Sequence, residues 1–261
     1  QAKDQDRVET VTYRKDAQKA IIRYVSTNGN RVLTTDEVTG KSGEAIAYST
    51  TSQITEFKKQ GYNLVSDEFT AGGAKVYDYD TARDQVYTVT LSERVEPVNP
   101  DNPTPQPNTP VNPGQPDSPR WPGTVENLDN KESVSRTIHY VYEDGSKAKD
   151  DVVETLNFKR WSNVNLVTGH IDFQDWTTND DTFDKVVSPT IAGYTADKSE
   201  IPAVSGVQAK DQDRVETVTY HKDAQKAVIR YVSTNGNQVL KTDEVTGKSG
   251  ESIAYSTTSQ I

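Results

Sequence analysis

The sequence reads AIIRYVS at residues 20–26, NG at residues 28–29 and RVLTTDEV at residues 31–38. The two outer segments are rich in β-branched and aromatic residues, which fit a pleated, half-buried strand. Asn28-Gly29 can supply the positive φ angles of a tight hairpin turn. The stretch therefore predicts two antiparallel strands, and this hairpin is the clearest local signal in the chain.

The residues after the hairpin predict the rest of a small module. Ser49 and Ser52 are candidate caps of a short helix, whose apolar side carries Ile54 and Phe57, and Gly61 follows where helices commonly stop. Three further runs have strand composition, at residues 62–65, 75–79 and 85–91. The order of hairpin, helix and strands is that of a β-grasp, in which one helix packs on a mixed sheet.

A long internal repeat organises the chain around this module. Residues 1–54 recur at residues 208–261 with 49 of 54 positions identical, at an offset of 207 residues. The five exchanges are Arg14/His221, Ile21/Val228, Arg31/Gln238, Thr34/Lys241 and Ala45/Ser252. Self-similarity at a fixed offset predicts an array in which a 207-residue unit recurs. Such arrays cover distance or multiply weak binding.

A proline-rich segment follows the first module. Ten of the twelve prolines lie between Pro97 and Pro122, mostly three or four residues apart. Polyproline II has three residues per turn and rises about 3.1 Å per residue, so this spacing predicts an extended spacer of roughly 80 Å.

A second module resembles the first at its opening and at its close. Residues 138–145 read IHYVYEDG and lie over IRYVSTNG at residues 22–29, while residues 215–219 lie over residues 86–90. Between these ends, residues 156–173 suggest extra hairpin material in place of the helix. Two related folds with different middles are therefore expected.

The predicted fold class is mostly β, of the α+β type, with tandem ubiquitin-like β-grasp modules in an elongated rod. Residues 225–261 cannot bury a core alone, so we expect them to be disordered or to swap strands with another molecule. The predicted segments are a terminal strand of a preceding module at 1–14, a first module at 18–95, a proline-rich spacer at 97–123, a second module at 131–222 and the start of a further first module at 225–261.

Composition narrows the classes of function. The net charge of −10 argues against nucleic acid and anionic membranes as partners, since both call for basic patches. No apolar run is long enough to span a bilayer, and there is no cysteine for thiol catalysis. None of the three histidines has a nucleophile or carboxylate at motif spacing, so we expect no catalytic site and no enzyme.

Aromatic residues are the more useful candidates for a ligand site. Tyr77 and Tyr79 should share one face of a strand, and Trp161 and Trp176 flank a hairpin rich in Asn, Thr and Asp. Aromatic faces beside amide and carboxylate groups suit a sugar ring or a protein interface. The alternative for each tryptophan is a place in the core of its module, and open sheet edges are a second kind of site.

A carboxylate group is a candidate metal site. Asp78, Asp80 and Asp84 can supply hard oxygen ligands for calcium, but they lack the glycine and terminal glutamate of the helix-loop-helix site. Solvated loop residues are the alternative, and no cofactor other than calcium is indicated.

Several motifs of the two modules resemble the mucus-binding (Mub) repeats of Gram-positive surface adhesins. IRYVSTNG at 22–29, VTGKSGE at 38–44 and Gly61-Tyr62 resemble the mucin-binding-protein (MucBP) type module, called B1. IHYVYEDG at 138–145, VTG at 167–169, Asp175-Trp176 and SPTIAGY at 188–194 resemble the companion B2 module. The resemblance implies β-grasp modules, adhesion to host mucin glycoproteins, immunoglobulin binding by some members, and display outside the cell with a cell-wall anchor.

Three functional hypotheses follow. The first is a non-enzymatic adhesin repeat whose modules bind mucin glycans weakly and gain avidity through repetition. The second is sugar-independent binding of immunoglobulin or another host protein by a sheet edge or helix of the first module. The third is a mechanical stalk. Domain-swapped self-association of this chain is expected if residues 225–261 borrow strands from a neighbour.

Overall fold

The computed structural model describes residues 7–258, and these residues form two compact units. The first unit contains residues 7–130 and 160–175, and the second contains residues 131–159 and 176–258. In chain order the elements are β1 (Ala17–Ser26), β2 (Val32–Lys41), α1 (Thr51–Lys59), β3 (Tyr62–Asp67), β4 (Gln85–Glu93), β5 (Val95–Val98), a 3-10 helix (Gly123–Asn127), β6 (Lys131–Tyr142), β7 (Lys147–Lys159), β8 (Ser162–Asn165), β9 (Ile171–Phe173), β10 (Val186–Val187), β11 (Tyr194–Ala196), β12 (Glu200–Ile201), β13 (Arg214–Lys222), β14 (Ala224–Val232) and β15 (Val239–Lys248).

A four-stranded sheet with one helix forms the first module. Its strand order is β2-β1-β4-β3, with β1 and β4 parallel and the two outer pairings antiparallel. Alternate residues of β1 are fully buried, namely Ala20, Ile22 and Tyr24, as expected for a strand with one face on a core. The helix covers this face, and the Phe57 ring lies 5.6 Å from the ring of Tyr24, centroid to centroid. The predicted β-grasp layout and its helix are confirmed.

Two local details differ from the sequence prediction. The hairpin turn uses positive φ at Gly29 and Asn30, one residue later than predicted from Asn28-Gly29. The N-cap of α1 is Thr50, which makes no capping hydrogen bond with its side chain. Gly61, at φ 95°, ends the helix as predicted.

The proline-rich stretch does not form an extended rod. Residues 95–98 are β5, which pairs with β8, and the later prolines lie in a loop that folds back on itself. Asn108 and Thr109 exchange backbone hydrogen bonds with Trp121 at 2.9 and 3.0 Å, and the Val111 N–H donates to the Pro119 carbonyl at 2.9 Å. The cause lies between the prolines, where Asn, Asp, Ser and Gly favour turns. Gly114, at φ 89°, lies within the reversal.

The second unit repeats the central feature of the first. Its main sheet has the order β11-β13-β6-β7, in which β13 and β6 are the parallel pair. Residues of β6 alternate between buried and half-buried, and Val134, Ile138 and Tyr140 lie in the core. The predicted extra hairpin forms as β8 and β9, turning at Gly169. It belongs to the first unit, because β8 pairs with β5, whereas the sequence prediction places it in the second module.

The segments near the two ends of the chain differ from the sequence prediction. Residues 7–15 form no strand, although their copies at 214–222 form β13; residues 1–6 of the predicted terminal strand lie outside the described residues. Residues 225–261 were expected to be disordered or to swap strands; instead of being disordered, residues 224–248 form the hairpin β14–β15, in the same register as β1–β2. Ile229 and Tyr231, the copies of buried Ile22 and Tyr24, are only half-buried here.

Candidate functional site

The two tyrosines predicted to share a face have opposite environments. Tyr77 is 3% exposed and packs so closely on Gly40 that a Cβ there would lie 2.2 Å from its ring. Tyr79 is 78% exposed, and its hydroxyl lies close to Gly43. The prediction of a shared face is therefore wrong for Tyr77, which belongs to the core, and Tyr79 remains as a candidate contact residue.

The reason is a pairing that the sequence pattern did not reveal. Residues 75–77 exchange backbone hydrogen bonds with residues 43–46, so the segment adds to the module instead of forming a free strand. Gly43 donates its N–H to the Tyr77 carbonyl at 2.8 Å, and the Tyr77 N–H donates to the Glu44 carbonyl at 2.9 Å. This pairing holds the Tyr77 side chain in the core, and Tyr79 lies beyond the last of these backbone hydrogen bonds.

An open groove of about 540 Å³ lies in the first module near Tyr79. The backbone of Thr39-Gly40 forms part of its wall, and charged side chains of both signs form most of the rest, namely Lys19, Lys41, Glu44, Asp80, Arg83 and Asp84. Such a wall offers both hydrogen-bond donors and acceptors within a few ångströms of each other. The groove is suited to a ligand with many hydroxyl groups.

Ion pairs order the charged groups of the groove. The Lys19 ammonium lies 2.9 Å from the Asp84 carboxylate and 3.7 Å from that of Glu37. The hydrogen bond to Asp84, more than any other interaction, raises the pKa of Lys19 above its ordinary value. Lys15 lies 3.5 Å from Glu44. The Lys19 ammonium is therefore charged at neutral pH, and its carboxylate partners lie within reach of a ligand in the groove.

The calcium candidates serve other roles. The Asp78 carboxylate accepts the Asp80 N–H at 3.1 Å, and the Asp80 carboxylate accepts the Ala82 N–H at 2.9 Å, so both close local turns. Asp84 pairs with Lys19. Within residues 7–258 no group of three or more carboxylate, histidine or cysteine side chains is arranged to hold a metal ion.

The two tryptophans lie in different units. Trp161, in the first unit, is 47% exposed and accepts the Gln174 N–H at its carbonyl, at 2.9 Å. Trp176, in the second unit, packs against a buried cluster that includes Phe183, and the Lys210 ammonium lies 5.4 Å from its ring centroid. Trp176 thus follows the core alternative, and Trp161 keeps an accessible ring face.

Sequence reasoning missed a groove in the second unit. It has a volume of about 280 Å³ and lies beside the end of β7. Asn157, Thr178 and Asn179 line it together with Phe158 and Lys131, and the Thr178 hydroxyl donates to the Asn157 carbonyl at 2.8 Å. The only signal in the sequence was the polar run at residues 177–180, directly after Trp176.

Sequence reasoning also missed two histidine–carboxylate pairs. His139 Nδ1 lies 2.9 Å from Asp151 on the neighbouring strand, and His221 Nδ1 lies 2.7 Å from Glu143. Strand pairing brings these residues together, so no short motif marks them. Both pairs are about half-exposed, which is typical of surface ion pairs that contribute little to stability.

The family model of a Muc B2-like domain matches residues 125–224, and that of a mucin binding domain matches residues 18–93 and again residues 225–261. Together these segments cover most of the chain. They define a binding protein assembled from mucin-binding modules, with the first module beginning again after the second.

Solved structures agree with this class. The crystal structure of Mub-RV is 26% identical over 79% of this chain and 99% of its own chain, with a TM-score of 0.63. The type 2 repeat of the mucus binding protein MUB from Lactobacillus reuteri is 28% identical over 79% of this chain and 100% of its own, with a TM-score of 0.52. This chain belongs to the family of mucus-binding (Mub) repeats, with a B1-type module followed by a B2-type module.

No curated protein is similar enough to this chain to count as a match. In the described part of the chain, none of the helices has the length and apolar character needed to cross a membrane.

Proposed function

We propose that this mucus-binding repeat contacts mucin glycans at the Tyr79 groove of its first module. The observation that carries the proposal is the exposed ring of Tyr79, 78% accessible, close to a groove whose walls are charged and hydrogen-bonding groups. Tyrosine is common at binding surfaces, because its apolar ring packs on a partner while its hydroxyl makes hydrogen bonds. The family and the geometry therefore support the same type of ligand.

The chemistry of the groove fits a sugar better than an apolar molecule. Sugar rings have one face of C–H groups, which packs on an aromatic ring, and an edge of hydroxyls, which need donors and acceptors. The Asp84 and Glu44 carboxylates accept from hydroxyls, while Lys41 and Arg83 donate to them. Binding requires only that the Asp84 carboxylate accept hydrogen bonds from the ligand as well as from Lys19.

A low affinity for each module follows from the shape of the site. The groove is open to solvent and buries only part of a ligand. The net free energy of binding, after the cost of lost translational and rotational freedom, is therefore small. In a tandem array the second binding event becomes intramolecular, and avidity can exceed single-site affinity by about 10²–10⁴. We therefore expect a chain with several repeats to bind immobilised mucin far more tightly than a single repeat; equal binding would contradict this part of the proposal.

The test of the site uses two exposed tyrosines. We expect Tyr79→Ala to weaken binding to immobilised mucin about tenfold, which corresponds to about 1.4 kcal/mol for one lost aromatic contact. Tyr13→Ala is the matched control, because Tyr13 is 91% exposed but has no chain neighbour in the wall of the groove, whereas Tyr79 directly precedes Asp80 in that wall. Equal binding by both variants in surface plasmon resonance would remove Tyr79 from the site.

Trp161 is a second contact candidate in the first unit. Its half-exposed ring can stack on a sugar independently of Tyr79. We expect Trp161→Ala to reduce mucin binding with no change in the fold reported by circular dichroism. If only the double variant with Tyr79→Ala lost binding, the two rings would act as alternative contacts.

A second candidate function is recognition of a host protein, such as an immunoglobulin, by a sheet edge. Strand β3 is an edge strand of the first sheet, and its residues Leu64 and Val65 are exposed. An open edge with apolar side chains can accept a partner strand through backbone hydrogen bonds. Binding that survives enzymatic removal of glycans but is lost in Val65→Lys would favour this function over the first.

Surface display and self-association complete the proposal. The adhesin role places the repeat outside the cell, on a protein anchored to the cell wall, and protease treatment of intact cells should remove it. The half-exposed face of β14 suggests that residues 85–91 of another copy could pair with it as β4 pairs with β1. Light scattering should then show a concentration-dependent dimer; a monomer at all concentrations would exclude the swap. A purely mechanical role would be favoured if neither mucin nor host protein bound.

A further inference from the structure

A single residue connects the second module to the next hairpin. Strand β13 ends at Lys222, β14 begins at Ala224, and only Asp223 lies between them. Boundaries between domains usually fall in flexible linkers with few contacts. Here the linker has one residue, and hydrogen bonds hold both of its backbone groups.

The contacts of Asp223 join three segments of the second unit. Its N–H donates to the Gly193 carbonyl at 2.9 Å, and its own carbonyl accepts the Ser249 N–H at 2.9 Å. Its carboxylate accepts the Thr195 hydroxyl at 2.5 Å. The turn before β11, the junction residue and the end of β15 are therefore tied to one another.

Gly193 allows the closest approach. It has φ 78°, and a Cβ built on it would lie 3.0 Å from the Ser249 Cβ. A side chain at this position would be strained by the backbone conformation and would also press on Ser249. The turn of the second module and the end of the hairpin therefore fit against each other only with glycine here.

Opposite charges surround this contact. The Glu143 carboxylate lies 2.7 Å from His221 Nδ1 and 3.9 Å from the Lys248 ammonium. Lys222 lies 3.8 Å from Glu251. Each exposed pair contributes little alone, but pairs between the module and the hairpin favour one relative orientation over others.

The hairpin half of the contact is already formed in the first copy of the repeat. There the Ser42 N–H donates to the Asp16 carbonyl at 3.1 Å, which corresponds to the bond between Ser249 and Asp223. Gln18 donates to the Ser42 hydroxyl at 3.4 Å, and its copy Gln225 donates to Ser249 at 3.2 Å. The hairpin therefore forms the same hydrogen bonds in both copies of the repeat.

We propose that the end of the B2-type module, formed by Glu143, Gly193, Thr195 and Asp223, is a docking surface for the first hairpin of the following repeat. The partner is the B1-type hairpin that continues the same chain, and the surface holds successive repeats at one fixed angle. A junction with no free backbone group cannot act as a hinge, so the angle between successive repeats stays fixed. A fixed angle keeps the binding sites of successive repeats in a constant arrangement along the array. The inference goes beyond mucin binding and does not depend on it.

The absence of cysteine makes this junction accessible to a direct distance measurement. Val153→Cys on β7 and Arg230→Cys on β14 place spin labels at two exposed positions, one on each side of Asp223. Double electron–electron resonance on the 261-residue chain should give a single narrow distance distribution. A broad distribution in the unaltered junction would overturn the proposal.

Three variants of the labelled chain complete the test. Insertion of Gly-Gly-Ser after Asp223 should broaden the distribution at least about twofold, because such linkers behave as flexible coils. Asp223→Ala, which removes the contact with Thr195, should broaden it less. Asp16→Ala is the matched control and should leave the distribution unchanged. If the insertion broadened the distribution while Asp223→Ala kept the original one, the length of the linker and not the docking surface would set the angle.

Discussion

Arg136 should be the side chain on which the second module depends most. It is 1% exposed, and its Nε donates to the Glu154 carboxylate at 2.7 Å. One terminal nitrogen donates to the Pro202 carbonyl at 3.0 Å, and the other donates to the Asp184 carbonyl. The guanidinium also lies 5.1 Å from the ring centroid of Phe183. One buried cation thus joins β6, β7 and the two loops that close the core.

The magnitude follows from the groups left behind. Arg136→Met keeps most of the side-chain volume but leaves one carboxylate and two carbonyls without their donor. Breaking a buried ion pair costs about 3–5 kcal/mol, and each unsatisfied carbonyl costs about 1–3 kcal/mol where water cannot reach it. The Glu154 side chain is 24% exposed, so solvent offsets part of the loss. Because these costs add and solvent at Glu154 offsets only part of them, we expect the free energy of unfolding to fall by at least about 3 kcal/mol.

Urea denaturation followed by Trp176 fluorescence measures this loss. Trp176 is the one tryptophan of the second unit, so Phe replacements of Trp121 and Trp161 isolate its signal. Arg214→Met is the matched control, because Arg214 lies opposite Arg136 in the parallel pairing but is exposed. The control should change stability by less than about 0.5 kcal/mol. A loss below about 1 kcal/mol in Arg136→Met would refute the reasoning.

Two further predictions concern the first module and the junction. Gly40→Ala should destabilise the first module by about 1–3 kcal/mol in thermal unfolding, since its Cβ would overlap the Tyr77 ring; Gly123→Ala, with open space around it, is the control. The hydrogen bond from His221, more than any other interaction, holds the pKa of Glu143 below its ordinary value. This contribution to stability is present above the unfolded-state pKa and is lost as the pH falls through the folded-state pKa. In His221→Ala, an NMR titration should show the Glu143 pKa moving up towards its ordinary value; no movement would contradict that cause.

Local patterns predicted much of the fold. The β-branched run at residues 20–26 became β1, and the spacing of Ile54 and Phe57 marked the buried side of α1. The internal repeat identified the start of a further first module at residues 225–261, where disorder or strand swapping was expected and where residues 224–248 form a hairpin with the register of the first. These features depend on neighbours in sequence, which is why propensity and periodicity reveal them.

The sequence pattern did not predict features that depend on contacts between residues far apart in the chain. Tyr77 and Tyr79 are two residues apart, as residues on one face of a strand are, yet the pairing with residues 43–46 places Tyr77 in the core. The proline spacing indicated a rod, but the turn residues between the prolines closed a loop. The hairpin at residues 162–173 pairs with β5, about 65 residues earlier in the chain, and no local signal records that choice.

The candidate site was predicted only in part for the same reason. Tyr79 was identified from composition, whereas the groove near it requires residues 17–19, 39–44 and 80–84 to come together in space. The polar groove of the second unit likewise joins β7 to residues 177–179. Binding surfaces of small β modules are assembled from several loops and strand edges, so spacing in the sequence cannot mark them.

Binding of this chain to immobilised mucin, measured before and after enzymatic removal of the glycans, tests the central claim most directly. The account predicts measurable binding to the intact mucin and its loss after the glycans are removed. Undiminished binding to the stripped protein would contradict a glycan site and would leave the sheet edge as the contact surface.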